Sequence, residues 1–126
     1  MNKVKHSVVL GGLLALACAS ALADQAVSDA AKAMANNAGC FTCHSIQHKD
    51  NPGGKLPIGP AWEDVAAQYK GKPGAADFLT RIVLEGSNPY SSHWKNQAAG
   101  IAMPPNAVVV SENQARQIVY WILSLK

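Results

Sequence analysis

The chain has 126 residues, 48% of them hydrophobic and only 15% charged, with a formal net charge of +3. That length bounds it to one domain with a modest core. So weak a positive balance gives no electrostatic basis for a nucleic-acid partner, which requires clustered Lys and Arg against a phosphate backbone.

The first stretch reads as a targeting segment. Lys3 and Lys5 precede an apolar run from Val8 to Ala17, and Ala21-Leu22-Ala23 forms an A-x-A cleavage site. This pattern predicts a secretory signal peptide over 1–23, cut before Asp24, with 24–126 as the folded domain and the periplasm as its destination. The apolar run is too short to favour a membrane span, so no stable membrane insertion is expected. Two weaker alternatives are an uncleaved anchor and lipidation at Cys18, whose Ala15-Leu16-Ala17-Cys18 box lacks the usual Leu three residues ahead of the cysteine. Cleavage leaves 103 residues and, by removing Lys3 and Lys5, lowers the formal charge to +1. Export raises the question of disulfides, but Cys18 leaves with the leader, and Cys40 and Cys43 are too close for a useful framework.

Helical signals dominate the rest. Ser28 to Ala38 is Ala-rich, with Ser28 as a candidate cap. It ends at Gly39, whose missing side chain would allow close approach of a neighbouring helix or the haem edge. Cys40-Phe41-Thr42-Cys43-His44 follows, and then a Pro/Gly-rich loop from Gln47 to Pro60. Trp62, Val65, Ala66 and Tyr69 have helical spacing, broken by Lys70-Gly71-Lys72-Pro73-Gly74. Phe78, Leu79, Ile82 and Val83 mark a further helix stopped at Gly86. Ser87 to Pro105 is a long loop. Ser111-Glu112-Asn113-Gln114 is a capping box opening a last helix that carries Ile118, Val119, Trp121, Ile122 and Leu125. Val108-Val109-Val110 reads as its apolar lead-in. Trp121 and the stripes around Trp62 and Phe78 are expected core. Loops of this length are rare in a compact domain unless they are functional.

C-x-x-C-H is the attachment signal of a c-type haem. Two thiols at this spacing add to the two vinyl groups of one macrocycle, and the adjacent imidazole of His44 reaches its iron. A thioredoxin-like redox motif would need a βαβ context, and a zinc site would need a second knuckle. For the second axial ligand the leading candidate is Met103, in Met103-Pro104-Pro105-Asn106, because a soft thioether favours Fe(II). Met34 is better read as core. His48 lies one helical turn from His44 and cannot cross the ring. His93, in the same long loop as Met103, is the rival ligand. An iron-bound imidazole donates its other N–H to an acceptor, for which the Pro60 carbonyl is the candidate. Asn106 is a candidate donor to the Met103 sulfur, with helix lead-in as its plainer role. Arg81 and Trp94 are candidates to hold a haem propionate, against a solvated charge and a loop packing residue.

Taken together, Gly39-Cys40 through His44, Gly59-Pro60-Ala61-Trp62, Arg81-Ile82, Glu85-Gly86-Ser87, Met103-Pro104-Pro105-Asn106 and Trp121-Ile122-Leu123 stand in the order of a class I monohaem cytochrome c. The chain most resembles the short bacterial periplasmic electron-carrier subgroup. The resemblance implies an all-α fold of four to five helices and long loops around one covalently bound haem c. It implies His44 and Met103 as axial ligands, the Pro60 carbonyl on His44, Asn106 near the sulfur, and Arg81 and Trp94 on a propionate. It implies a one-electron carrier and not an enzyme. Its partners would be periplasmic redox proteins: a donor dehydrogenase or quinol-oxidising complex, and an acceptor reductase or oxidase. The loops 47–58 and 94–103 are longer than in the shortest members. They support a second expectation, a dedicated cytochrome c subunit of a periplasmic dehydrogenase complex. Ile58, Ile101 and Ala102 are candidates for an apolar docking rim.

Overall fold

The computed structural model describes residues 11–48, 55–88, 94–99 and 101–126, with side chains from Ser20 onward. Among these, four α-helices follow in the order α1 (Gly11–Asn37), α2 (Trp62–Tyr69), α3 (Ala75–Glu85) and α4 (Glu112–Ser124), with a 3-10 turn at Cys40–Thr42 after the first. Helix α4 is the hub on which α1, α2 and α3 all pack. No sheet forms among the described residues, where one isolated antiparallel bridge pairs Ser87 with Met103. The all-α class and the helix count are as expected.

The buried stripe of α4 explains its central place. Ala115, Ile118, Val119, Trp121 and Ile122 are all buried, and they share one core with Ala31 and Ala35 of α1 and with Trp62, Val65 and Tyr69 of α2. Ala31 and Ala35 lie one turn apart on α1, where small side chains let two helix backbones approach closely. The predicted capping box is present. The Ser111 hydroxyl accepts from the Gln114 amide at 3.3 Å, and Gln114 Oε1 accepts from the Ser111 N–H at 2.9 Å.

Four expectations need correction. Helix α1 runs unbroken from Gly11, so Ser28 lies inside it and caps nothing. From Leu13 to Ala38 the chain has neither Gly nor Pro and many Ala, so nothing interrupts the helix. No neighbouring helix comes close at Gly39: its φ is +77°, which suits a residue without a side chain, a Cβ there would meet no protein atom within 4 Å, and the residue borders the haem cleft. Phe78 is 38% exposed at the core's edge, its ring beside Tyr69, because Leu79 takes the inward position of α3. Of the three valines before α4 only Val110 is buried, while Val108 and Val109 face solvent on a turn closed onto the Asn106 carbonyl.

Candidate haem site

The Cys40–His44 pentapeptide folds as one tight turn, in which the Cys43 and His44 amides both donate to the Cys40 carbonyl at 3.2 and 3.1 Å. Both thiols therefore project from a single rigid unit. Burial pushes the Cys40 thiol up from its ordinary pKa, because a thiolate is poorly solvated there. The chain after His44 is pinned to α2. The first amides of that helix, which have no partner inside it, donate instead to Ser45 and Ile46, Trp62 N–H to Ser45 O and Glu63 N–H to Ile46 O, each at 3.0 Å.

Three neighbours fix the His44 ring. Its Nδ1 lies 2.7 Å from the Pro60 carbonyl oxygen. A carbonyl only accepts, so Nδ1 carries the hydrogen and Nε2 keeps its lone pair. Burial lowers the His44 pKa, partly opposed by the Pro60 bond, so the ring is held neutral, the form that ligates a metal. The Gly59 backbone presses on the ring. A Cβ at Gly59 would lie 2.6, 2.9 and 3.0 Å from Cε1, Nδ1 and Nε2. Such nearly equal distances place it against the face of the ring. Trp62 runs parallel to the imidazole, with centroids 5.7 Å apart and planes 16° apart, and it meets Trp121 edge-on at 5.1 Å.

Met103 is held from the other end of the molecule. The Ser87 amide donates to the Met103 carbonyl at 3.0 Å. Beyond the two prolines, the Asn106 and Ala107 amides donate to Val83 and Leu84 at 3.2 and 3.3 Å, taking up carbonyls that the last turn of α3 leaves without helical partners. The Asn106 side-chain amide donates to the carbonyls of Val83 at 3.1 Å and Pro104 at 2.8 Å. These two bonds brace the loop, and a bond from Asn106 to the sulfur is carried forward as a proposal.

These parts line one cleft of about 1090 Å³, counted to its open mouth. Cys40, Cys43, His44, Pro60, Trp94, Met103 and Asn106 all border it, together with apolar side chains of α2, α3 and α4. Arg81 does not. It is exposed on α3 because Leu79, Ile82 and Val83, spaced three and four apart, turn the helix's other face to the cleft. Its place on a propionate is carried forward as a proposal. Trp94 is half-buried at the cleft, and its carbonyl accepts from Gln97 and Ala98; Ala99 N–H then reaches Pro57 O at 2.8 Å, tying the two long loops together. His48 is exposed and paired with Asp64 at 3.0 Å, and Met34 packs against the core. His93 lies outside the described residues. Sequence reasoning missed Gly59 and Trp62 as His44 contacts. Their only signal was position, one residue before and two after Pro60.

Two thiols on one turn, a neutral imidazole with a free Nε2 and a thioether around a mainly apolar cleft suit a flat hydrophobic macrocycle with a central metal. This donor set defines a covalent haem domain. The comparisons agree. The cytochrome c family model matches residues 28–126. Cytochrome c-551 of Pseudomonas aeruginosa is 35% identical over 111 residues, covering 88% of this chain and 91% of that one. Cytochrome c-552 of Nitrosomonas europaea is 38% identical over 110 residues, covering 87% and 90%. The crystal structure of wild-type Nitrosomonas europaea cytochrome c552 superposes with a TM-score of 0.57 at 35% identity, covering 75% of this chain and 99% of that one. The chain belongs to the cytochrome c family, as a class I monohaem c-type cytochrome with one covalently bound haem c and a role in electron transport.

Proposed function

We propose that the chain is a periplasmic one-electron carrier whose haem iron is held by His44 and Met103. The observation that carries this is the common cleft: both side chains border it, with Cys40 and Cys43 beside them. The bound haem supplies a one-electron Fe(III)/Fe(II) couple. The chain's own residues keep that couple reversible. Cys40 and Cys43 hold the ring covalently. Pro60 fixes the His44 tautomer, which keeps Nε2 available in both oxidation states. The α3 strap holds Met103, and Leu79, Ile82, Val83 and Val119 exclude water. With His44 and Met103 both on the iron, no position would be left for a substrate, so no bond-breaking chemistry is assigned to it.

Ile58 and Ile101 border the cleft at 41% and 59% exposure, and Ala102 is exposed beside them. This supports docking of a redox partner on an apolar rim with mild salt dependence. The Lys3/Lys5, apolar-run and Ala21-Leu22-Ala23 pattern supports cleavage before Asp24 and export to the periplasm, and no helix among the described residues is long and apolar enough to cross a membrane.

The test uses the reduced holoprotein. Wild type should resist carbon monoxide at neutral pH, and Met103→Ala should bind it readily. A Met103→Ala protein that kept the wild-type low-spin spectrum would show that sulfur is not the ligand. Size exclusion of a fresh periplasmic extract, followed by haem absorbance, should give a free monomer. Elution in a stoichiometric complex would instead identify an enzyme subunit.

A further inference from the structure

The last turn of α3 and the Met103 loop form one unit. Val83 and Leu84 give their carbonyls to Asn106 and Ala107, while Ser87 N–H binds Met103 O. At the centre of that unit is Gly86, which the sequence marks as a helix stop and as part of Glu85-Gly86-Ser87. Its φ is 81° and its ψ −179°, a combination open essentially to glycine alone. A Cβ on Gly86 would lie 2.5 Å from the Met103 carbonyl oxygen and 3.0 Å from both Pro104 C and Pro105 N. All three contacts are backbone atoms of the ligand loop, so relief cannot come from a side-chain rotation. It requires the Met103 backbone to move.

We propose that Gly86 is a positioning residue for the Met103 sulfur: its bare backbone sets how closely the ligand loop lies on the end of α3, and hence where the thioether stands in the cleft. The inference rests on the assignment of Met103 as axial ligand. A second glycine separates position from strain. Gly74 has φ +74°, yet a Cβ there would meet nothing within 4 Å. Gly74→Ala therefore strains the backbone without touching the loop. Ala107 offers a milder lever, because it is exposed at the second position of the turn closed by Asn106, where proline is tolerated. Ala107→Pro removes its N–H bond to Leu84 and sets the ring Cδ against that carbonyl, which lifts the loop from α3 without a substitution at Gly86.

The experiment compares the holoproteins of wild type, Gly86→Ala, Gly74→Ala, Ala107→Pro and Met103→Ala. Two quantities are read: the sulfur-to-iron charge-transfer band of the ferric form, and the affinity for added imidazole. Imidazole competes with the sulfur, so its apparent affinity rises by the factor by which sulfur ligation weakens. Gly86→Ala should weaken or abolish the band and raise imidazole affinity by roughly tenfold or more. Ala107→Pro should shift both in the same direction by less, and it carries the test alone if Gly86→Ala does not fold. Gly74→Ala should lower the melting temperature and leave both unchanged. The proposal is overturned if Gly86→Ala loses stability but keeps the band and the wild-type imidazole affinity. It is equally overturned if Gly74→Ala matches Gly86→Ala, or if Ala107→Pro alone is available and leaves both quantities at wild type. Persistence of the band in Met103→Ala would sink the ligand assignment itself, a separate failure visible in that variant alone.

Discussion

The two sides of the cleft are built by different means. The His44 side is local. Cys40, Cys43 and His44 share one turn, and the residues that seat the ring, Gly59, Pro60 and Trp62, come from one short segment. The Met103 side is remote. Its loop takes its shape from the spare carbonyls and terminal glycine of α3, some twenty residues earlier in the chain. A ring clamped by packing has little freedom left, whereas a loop held by a few hydrogen bonds can be let go piecemeal. The His44 side is expected to fail with the fold, and the Met103 side to fail before it.

The largest expected effect tests the first half of that contrast. Trp62 is 4% exposed and touches both His44 and Trp121, so it joins the imidazole to the hub helix. Trp62→Ala should cost about 3–5 kcal/mol through the cavity it leaves. Denaturant unfolding in saturating imidazole, which replaces the Met103 sulfur so that haem absorbance reports His44 ligation, should show that signal and tryptophan fluorescence moving together. If ligation were lost at a much lower denaturant concentration than the fold, the claim that the His44 side is part of the core would be wrong.

Gly59→Ala probes the same side without opening a cavity. The added methyl would overlap the imidazole face, where the ring cannot retreat from Trp62 and Pro60 freely. Overpacking of this kind costs about 1–3 kcal/mol. The midpoint of thermal unfolding should fall, and His44 ligation, read with imidazole in place of the Met103 sulfur, should persist up to that midpoint, since the His44 side has no independent way to open.

How much of this was legible in the chain follows the same division. The pentapeptide and all four helices could be read because each rests on neighbours in sequence: a fixed ligand spacing, a helical period, a capping box. Pro60 was found because an iron-bound imidazole needs an acceptor, and its carbonyl lies 2.7 Å from Nδ1. What Asn106 and Arg81 touch could not be read, for one physical reason. Their roles depend on which face of α3 meets the loop, and that is set by tertiary packing of Leu79, Ile82 and Val83. Gly86 reads as a helix stop in any sequence. Only the proximity of the Met103 carbonyl gives it a second meaning.

A smaller effect is expected at Asn106. Its side chain gives two hydrogen bonds, to Val83 O and Pro104 O, in a half-buried setting. Asn106→Ala should cost about 1–2 kcal/mol. In contrast to Trp62→Ala, it should separate haem absorbance from tryptophan fluorescence when no imidazole is added, weakening sulfur ligation well below the global unfolding midpoint. A brace and a sulfur hydrogen bond differ in one respect. Loss of a brace leaves the reduction potential of the still-ligated fraction near wild type, whereas loss of a bond to sulfur changes the donor strength of the thioether and shifts that potential.

The smallest effect marks where the Met103 side ends. Ser111 caps α4 five residues beyond Asn106, with both arms of its box formed and its side chain in solvent. Ser111→Ala should cost about 1 kcal/mol, the usual value of an N-cap. The turn between Asn106 and Val110 is closed by its own hydrogen bonds, from the Val109 and Val110 amides to the Asn106 carbonyl, so fraying at the cap has no continuous path to the ligand loop. Thermal unfolding should therefore shift down while the sulfur-to-iron band and imidazole affinity stay at wild type. If loosening the cap also loosened Met103, the ligand loop would be anchored through α4 as well as α3, and the contrast between a clamped side and a strapped side would have to be redrawn around the hub helix.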